Sequence, residues 1–184
     1  ISNLAKKGVL FKGGSFLSNL SEIKAVAFDK TGTLTEGKPV VTDIITDMDQ
    51  NEFLQIATSI EHLSEHPLSD AIISFASDKN IENIDVTDFE SLVGRGIKAK
   101  IDDILYFAGN LRLIDEENID TGKYKTLTET LSKDGKTSMY FADDEKVIGI
   151  IAAKDMPKES SNIAINLLKK ENFKVTMVTG DNEL

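Results

Sequence analysis

The chain alternates between compact apolar runs and helically spaced apolar positions, and the two patterns predict different elements. Residues 23–28 and Lys174–Val178 are short compact, mainly apolar runs that stop at Asp29 and at Thr179-Gly180-Asp181, which is how buried parallel strands read. Residues 51–59 and 68–79 carry apolar positions at helical spacing. In the second, Leu68, Ile72, Phe75 and Ala76 share one face, and Pro67 favours a helix start there. Residues 86–93, 97–101, 104–108, 138–142 and 147–153 read as strands, joined in part by Gly94-Arg95-Gly96 and the acidic turns Asp102-Asp103 and Asp143-Asp144-Glu145. Tyr124–Lys133 reads as a helix with Leu127 and Leu131 inward and Gly135 as its stop. Asp155 is expected to cap a last helix, with Pro157 in its first turn and Ile163, Leu167 and Leu168 as its stripe. Nearer the start, residues 1–7 read as a helix end, 9–11 as a short strand stopped by Gly13-Gly14, and 16–20 as a helical turn or two. Gly37-Lys38-Pro39 reads as loop and hinge.

Strand and loop, a long middle region with antiparallel signals, then helix, strand and loop: this is the order of one domain inserted into another. The expected fold is α/β. An outer domain would be built from residues 1–37 and 150–184, and an inserted α/β domain on an antiparallel sheet from 38–149. The length of 184 residues, 40% hydrophobic and 28% charged, suits such a globular pair. A net charge of −10 argues against nucleic acid and anionic membrane surfaces as partners. The absence of cysteine removes disulfides and thiolate metal sites. No apolar run approaches the roughly 20 residues of a membrane helix. Because residue 1 is Ile, the chain is expected to begin inside a longer protein.

The strongest chemical signal is Asp29-Lys30-Thr31-Gly32-Thr33-Leu34-Thr35. An Asp just beyond a buried strand lies where open α/β sheets place their ligands. A carboxylate there can attack a phosphoryl group and form an acyl phosphate. The neighbouring hydroxyls and the turn amides around Gly32 could hold phosphoryl oxygens, and Lys30 adds positive charge.

This heptapeptide resembles the phosphorylation motif of the P-type ATPases residue for residue. The resemblance implies a haloacid dehalogenase-like phosphorylation domain with Asp29 as nucleophile, Lys30 and Thr31 beside it, and Mg2+ held by Asp29 and the Thr31 carbonyl. Thr179-Gly180-Asp181 resembles the family's phosphate- and nucleotide-contacting Thr-Gly-Asp, and Asp155-Met156-Pro157-Lys158 its Asp-x-x-(Arg/Lys) hinge segment. Ser64-Glu65-His66-Pro67-Leu68 resembles the signature of the heavy-metal branch, in which the His contacts the adenine end of ATP. By the same resemblance Glu61, Gly94, Gly96 and Asn110 join His66 and Asp155 as nucleotide-contacting residues, whereas His62 reads as a surface residue.

Taken together, the resemblance implies the ATP-binding, autophosphorylating cytoplasmic portion of a heavy-metal pump. Its partners would be ATP, a transported cation and a membrane domain of the same polypeptide. The family's later magnesium-binding acidic segment does not occur before Leu184, so weak ATP binding without efficient turnover is expected of this chain. A soluble phosphatase of the same superfamily is the alternative. Such enzymes generally carry a general acid–base Asp two residues after the nucleophile, where this chain has Thr31.

Overall fold

The computed structural model describes residues 5–6, 8–10, 22–64 and 66–178. The backbone packs as two units, one formed by Gly37–Met156 and the other by Ile1–Glu36 with Pro157–Leu184. In chain order the elements are β1 (Ala25–Asp29), a wide turn Lys30–Leu34, β2 (Thr35–Thr46), α1 (Gln50–Glu61), α2 (Pro67–Asp78), β3 (Thr87–Leu92), β4 (Gly96–Ile101), β5 (Ile104–Gly109), α3 (Leu111–Glu116), α4 (Tyr124–Lys133), β6 (Thr137–Ala142), β7 (Val147–Pro157), α5 (Glu159–Lys170) and β8 (Lys174–Val178).

The inserted unit is a six-stranded sheet in the order β2-β7-β6-β5-β4-β3, antiparallel from β3 through β7. Both of its faces are covered. Along β6, Met139 and Phe141 point into the core made with Phe53, Leu54, Ile60 and Ile72 of α1 and α2. Tyr140 and Ala142 point into the opposite core, made with Leu113 and Ile114 of α3 and Tyr124 and Leu131 of α4. Strands buried on both faces carry apolar side chains at most positions, so 139–142 and 147–153 read as nearly continuous apolar runs although their sheet is antiparallel. Phe53 meets Phe141 edge to face, with centroids 5.5 Å apart. A Cβ at Gly149 would lie 2.5 Å from the Phe53 ring, so that glycine makes the space the ring fills. Asp102 and Asp103 both adopt positive φ, 48° and 64°, the backbone of a tight two-residue hairpin between β4 and β5.

Several expectations change. Residues 37–39 continue β2 instead of forming a free hinge. β7 keeps its strand conformation to Pro157, so the backbone leaves the inserted unit after Met156 and not at 149/150. Asp155 therefore lies on a strand and does not cap a helix: its Oδ1 accepts the Gly37 N–H at 3.0 Å. α5 starts at Glu159 behind Lys158, which makes no side-chain cap bond. Residues 9–10 form no strand, and Phe11, Gly13, Gly14 and 16–20 lie outside the described residues.

In the outer unit β1 and β8 pair in parallel, with Asp29 opposite Val178 at their C-terminal ends. The strand type agrees with the expectation but the burial does not. Ala25, Ala27 and Asp29 are exposed, and on α5 Ile163 and Leu167 are each 57% exposed. Among the described residues only two strands make up this sheet, too few to cover one another.

Candidate functional site

Glu61, His66, Gly94, Gly96 and Asn110, which come from four separate stretches of sequence, all line one cleft of about 550 Å3 in the inserted unit. The ends of α1 and α2 form one wall; the β3–β4 turn, the end of β5 and the start of β6 form the other.

His66 precedes Pro67 and caps α2. Its Nδ1 accepts the Leu68 N–H at 3.2 Å, satisfying one of the helix's first free donors. An accepting Nδ1 has no hydrogen, so the neutral ring carries its hydrogen on Nε2, and the imidazole is exposed. Glu61 ends α1 and is 1% exposed. Its Oε2 accepts the hydroxyl of Ser69, a fully buried residue in the first turn of α2. Burial pushes the Glu61 carboxyl above its ordinary value, against the pull of the Ser69 and Ser64 hydroxyls.

The two glycines of the β3–β4 turn serve different ends. At Gly96, φ is +150° and a Cβ would stand 2.1 Å from the Ala108 carbonyl oxygen and 2.6 Å from the Gly109 Cα. Its missing side chain lets β4 and β5 pair, whereas no such close approach explains Gly94. There φ is +70° and a Cβ would meet nothing within 4 Å. Asn110 holds this wall together: its Oδ1 accepts the Leu113 N–H, capping α3, and its Nδ2 donates to the Gly94 carbonyl at 3.0 Å. Arg95 also lines the cleft. It pairs with Glu116 at 2.7 Å, and Arg112 pairs with the other Glu116 oxygen at 2.8 Å. The two guanidinium groups, Arg95 foremost, hold the Glu116 carboxyl below the usual carboxylate range. Asp155 does not line this cleft.

In the outer unit Asp29 stands exposed at the end of β1, where the wide turn begins. The turn is closed from within. Thr35 N–H and Oγ1–H reach the Lys30 carbonyl, and Gly32 N–H donates to Thr35 Oγ1 at 3.1 Å. The Gly32 amide is thus engaged inside the turn and is not aimed at a ligand. From the far end of the sequence, Lys158 clasps the same turn: its N–H reaches the Leu34 carbonyl at 2.9 Å and its Nζ the Gly32 carbonyl at 2.7 Å. Thr179, Gly180 and Asp181 lie outside the described residues.

Ser69 and the clasp role of Lys158 escaped the sequence reading. Lys158 was visible only as the fourth residue of a hinge segment. Ser69 gave no signal beyond being a polar residue three positions into a helix. Among the described residues no three His, Cys, Asp or Glu side chains converge as a metal site, and no helix is long and apolar enough to cross a membrane.

A sequence profile of the haloacid dehalogenase-like hydrolases matches residues 23–184. The chain is 44% identical over 179 residues to the copper-exporting P-type ATPase of Staphylococcus saprophyticus, matching 97% of its own length but only 22% of that protein. A zinc-transporting PIB-type ATPase in its E2.Pi state superposes with a TM-score of 0.80 at 32% identity, over 97% of this chain and 29% of that one. The catalytic domain of the CPx-ATPase CopB-B, from a study of its conformational changes upon nucleotide binding, superposes at 0.75 with 26% identity, over 99% of this chain and 64% of that one. These matches favour the pump reading over a free phosphatase, in line with Thr31 two residues after Asp29. The chain spans about a fifth to a quarter of the curated relatives it matches. It therefore belongs to the haloacid dehalogenase-like hydrolases and, among them, is homologous to the heavy-metal P-type ATPases.

Proposed function

We propose that this chain is the ATP-binding and phosphorylated portion of a heavy-metal-exporting P-type ATPase, lying on the cytoplasmic side of a membrane domain in the same polypeptide. The observation that carries the reading is the meeting of Glu61, His66, Gly94, Gly96 and Asn110 around one cleft. Adenine is flat, largely neutral and polar at its edges. An exposed imidazole with its hydrogen on Nε2 can stack on it or donate to a ring nitrogen, and a carboxylate can accept from its amino group. The open space at Gly94 admits a ligand to the backbone.

The chemistry belongs to Asp29. A carboxylate oxygen attacks the γ-phosphorus of ATP, the bond to the bridging oxygen breaks, and ADP leaves an aspartyl phosphate. Lys30 and Lys158, the latter held against the Gly32 carbonyl, add positive charge around the turn where phosphoryl charge would gather. The Asp29 carboxylate and the Thr31 carbonyl are hard oxygen donors. Such a pair suits Mg2+, which keeps most of its shell as water and phosphate oxygens and supplies charge neutralisation when bound. Thr179, Gly180 and Asp181 would complete the phosphate contacts, and Asp155 would act at the junction with the inserted unit. The transported metal is a matter for residues beyond this chain, which has no cysteine to offer a soft cation.

The test joins calorimetric titration with ATP to phosphorylation of the full-length parent protein by labelled ATP. ATP should bind this chain, and label should enter the parent protein but not its Asp29→Asn variant. Label retained in that variant, or no ATP binding by the chain, would overturn the reading.

A further inference from the structure

We propose that Ser69 is a positioning residue for nucleobase recognition: its hydroxyl holds Glu61 as a hydrogen-bond acceptor, so that the cleft selects a 6-amino purine over a 6-oxo purine. This rests on the reading that adenine occupies the cleft. Three residues form a short relay across the corner between α1 and α2. Glu61, 1% exposed, lines the cleft, and the fully buried Ser69 donates to its Oε2. Ser64 Oγ lies 2.9 Å from Ser69 Oγ and also accepts the His66 N–H at 3.3 Å.

Hydrogen counting gives the relay its direction. Each serine has one hydroxyl hydrogen. If Ser69 gives its own to Glu61, the Ser64 hydrogen is left to go to the Ser69 lone pairs or to the carboxyl itself. Both hydrogens then run towards the carboxyl group, an order whose bonds are strongest when the group is a carboxylate. A protonated Glu61 accepts these hydrogens more weakly and can offer its own to Ser69, which would then donate outward to Ser64. The relay therefore opposes the effect of burial, which favours the protonated acid.

The state of Glu61 decides what the cleft offers a purine. A carboxylate can only accept, which matches the exocyclic amino group of adenine. A carboxylic acid can donate to the carbonyl oxygen that hypoxanthine carries in its place. A site built to hydrogen-bond one such group rejects its counterpart strongly, because mismatched polar groups are left unpaired. Without Ser69, burial stands with one fewer opponent and the discrimination should collapse.

The test is calorimetric titration of the full chain with AMP and IMP, which share their phosphate and ribose and differ at purine position 6. The wild type should bind AMP more tightly than IMP. In Ser69→Ala the AMP affinity should fall about tenfold while IMP affinity holds or improves, so the ratio closes. Equal losses for both nucleotides, or an unchanged ratio, would make Ser69 a packing residue and overturn the proposal. If Ser69→Ala fails to fold, the half-exposed Ser64→Ala decides: a smaller ratio supports the relay and an unchanged one overturns it. A wild type that binds no AMP at all brings down the adenine reading and this proposal with it, a result seen before any variant is made.

Discussion

His66 has two jobs, and substitution can separate them. Its Nδ1 caps α2 through the Leu68 N–H, and its exposed ring with the hydrogen on Nε2 is the proposed adenine contact. Asparagine is among the best N-cap residues and has no ring, whereas alanine offers neither a cap nor a ring. His66→Asn should therefore melt within a degree or two of the wild type while losing the nucleotide contact. One good hydrogen bond or stacking contact is worth about 1–1.5 kcal/mol, or about tenfold in affinity. His66→Ala should lose the contact and the cap together. A lost cap costs about 1 kcal/mol, which in a domain of this size lowers the melting temperature by about 3–5 °C. His66→Gln should behave like the alanine variant in stability, since its longer side chain is a poor cap. Thermal unfolding and calorimetric ATP titration on the three variants are the measurements. Wild-type affinity in His66→Asn would end the ligand role of the ring. A wild-type melting temperature in His66→Ala would end the capping role.

Gly96→Ala should cost about 3 kcal/mol or more, because its Cβ would press on the Ala108 carbonyl, whereas Gly94→Ala should cost only about 1 kcal/mol of left-handed backbone strain; urea unfolding ranks the two, and equal costs would refute the division of labour. Glu61 tests burial through pH. Its native pKa is raised above the unfolded value of about 4.3, so the native state holds that proton more tightly. The stability it contributes is full below the unfolded pKa and is lost as pH rises through the native one. Wild-type stability relative to the non-titrating Glu61→Gln should therefore be greater at pH 4.5 than at pH 7.5 in urea unfolding; a constant or rising difference speaks against burial as the main influence. Because Arg95 is already paired with Glu116, the cleft has little charge to spare for phosphates, so AMP and ADP should bind the chain within a few-fold of ATP. A hundredfold preference for the triphosphate in calorimetry would contradict this.

How much of the molecule could be read in advance depended on whether a signal was local. Tyr124–Lys133 and Lys174–Val178 were placed to the residue, because each is a short run bounded by its own turn chemistry. The paired strands at 138–142 and 147–153 were visible because burial on two faces writes apolar residues at nearly every position. β2 was missed because Gly37-Lys38-Pro39 speaks locally for a break. The strand persists through pairing supplied from residues more than a hundred positions away, as in the Thr42 hydroxyl's bond to the Ala152 carbonyl. α3 was missed because its six residues, Leu111–Glu116, are too few to show a period. In the cleft, the lining residues were found through a resemblance to known motifs. Their separate roles were not. That Gly96 answers to Ala108, that Asn110 ties α3 to Gly94, and that Glu61 leans on Ser69 are all contacts across the fold that no local pattern records.

The bond from the Gly37 amide to the Asp155 carboxylate joins residues 118 positions apart, at the two places where the chain enters and leaves the inserted unit. To whatever hosts it, the whole insert presents the footprint of a hairpin, two neighbouring backbone ends held at fixed spacing. Its size is therefore free to drift. Residues could be gained or lost at distal turns such as 102–103 or 143–145 without moving the junction. A lineage could reshape the cleft through such changes and leave the turn after β1 undisturbed.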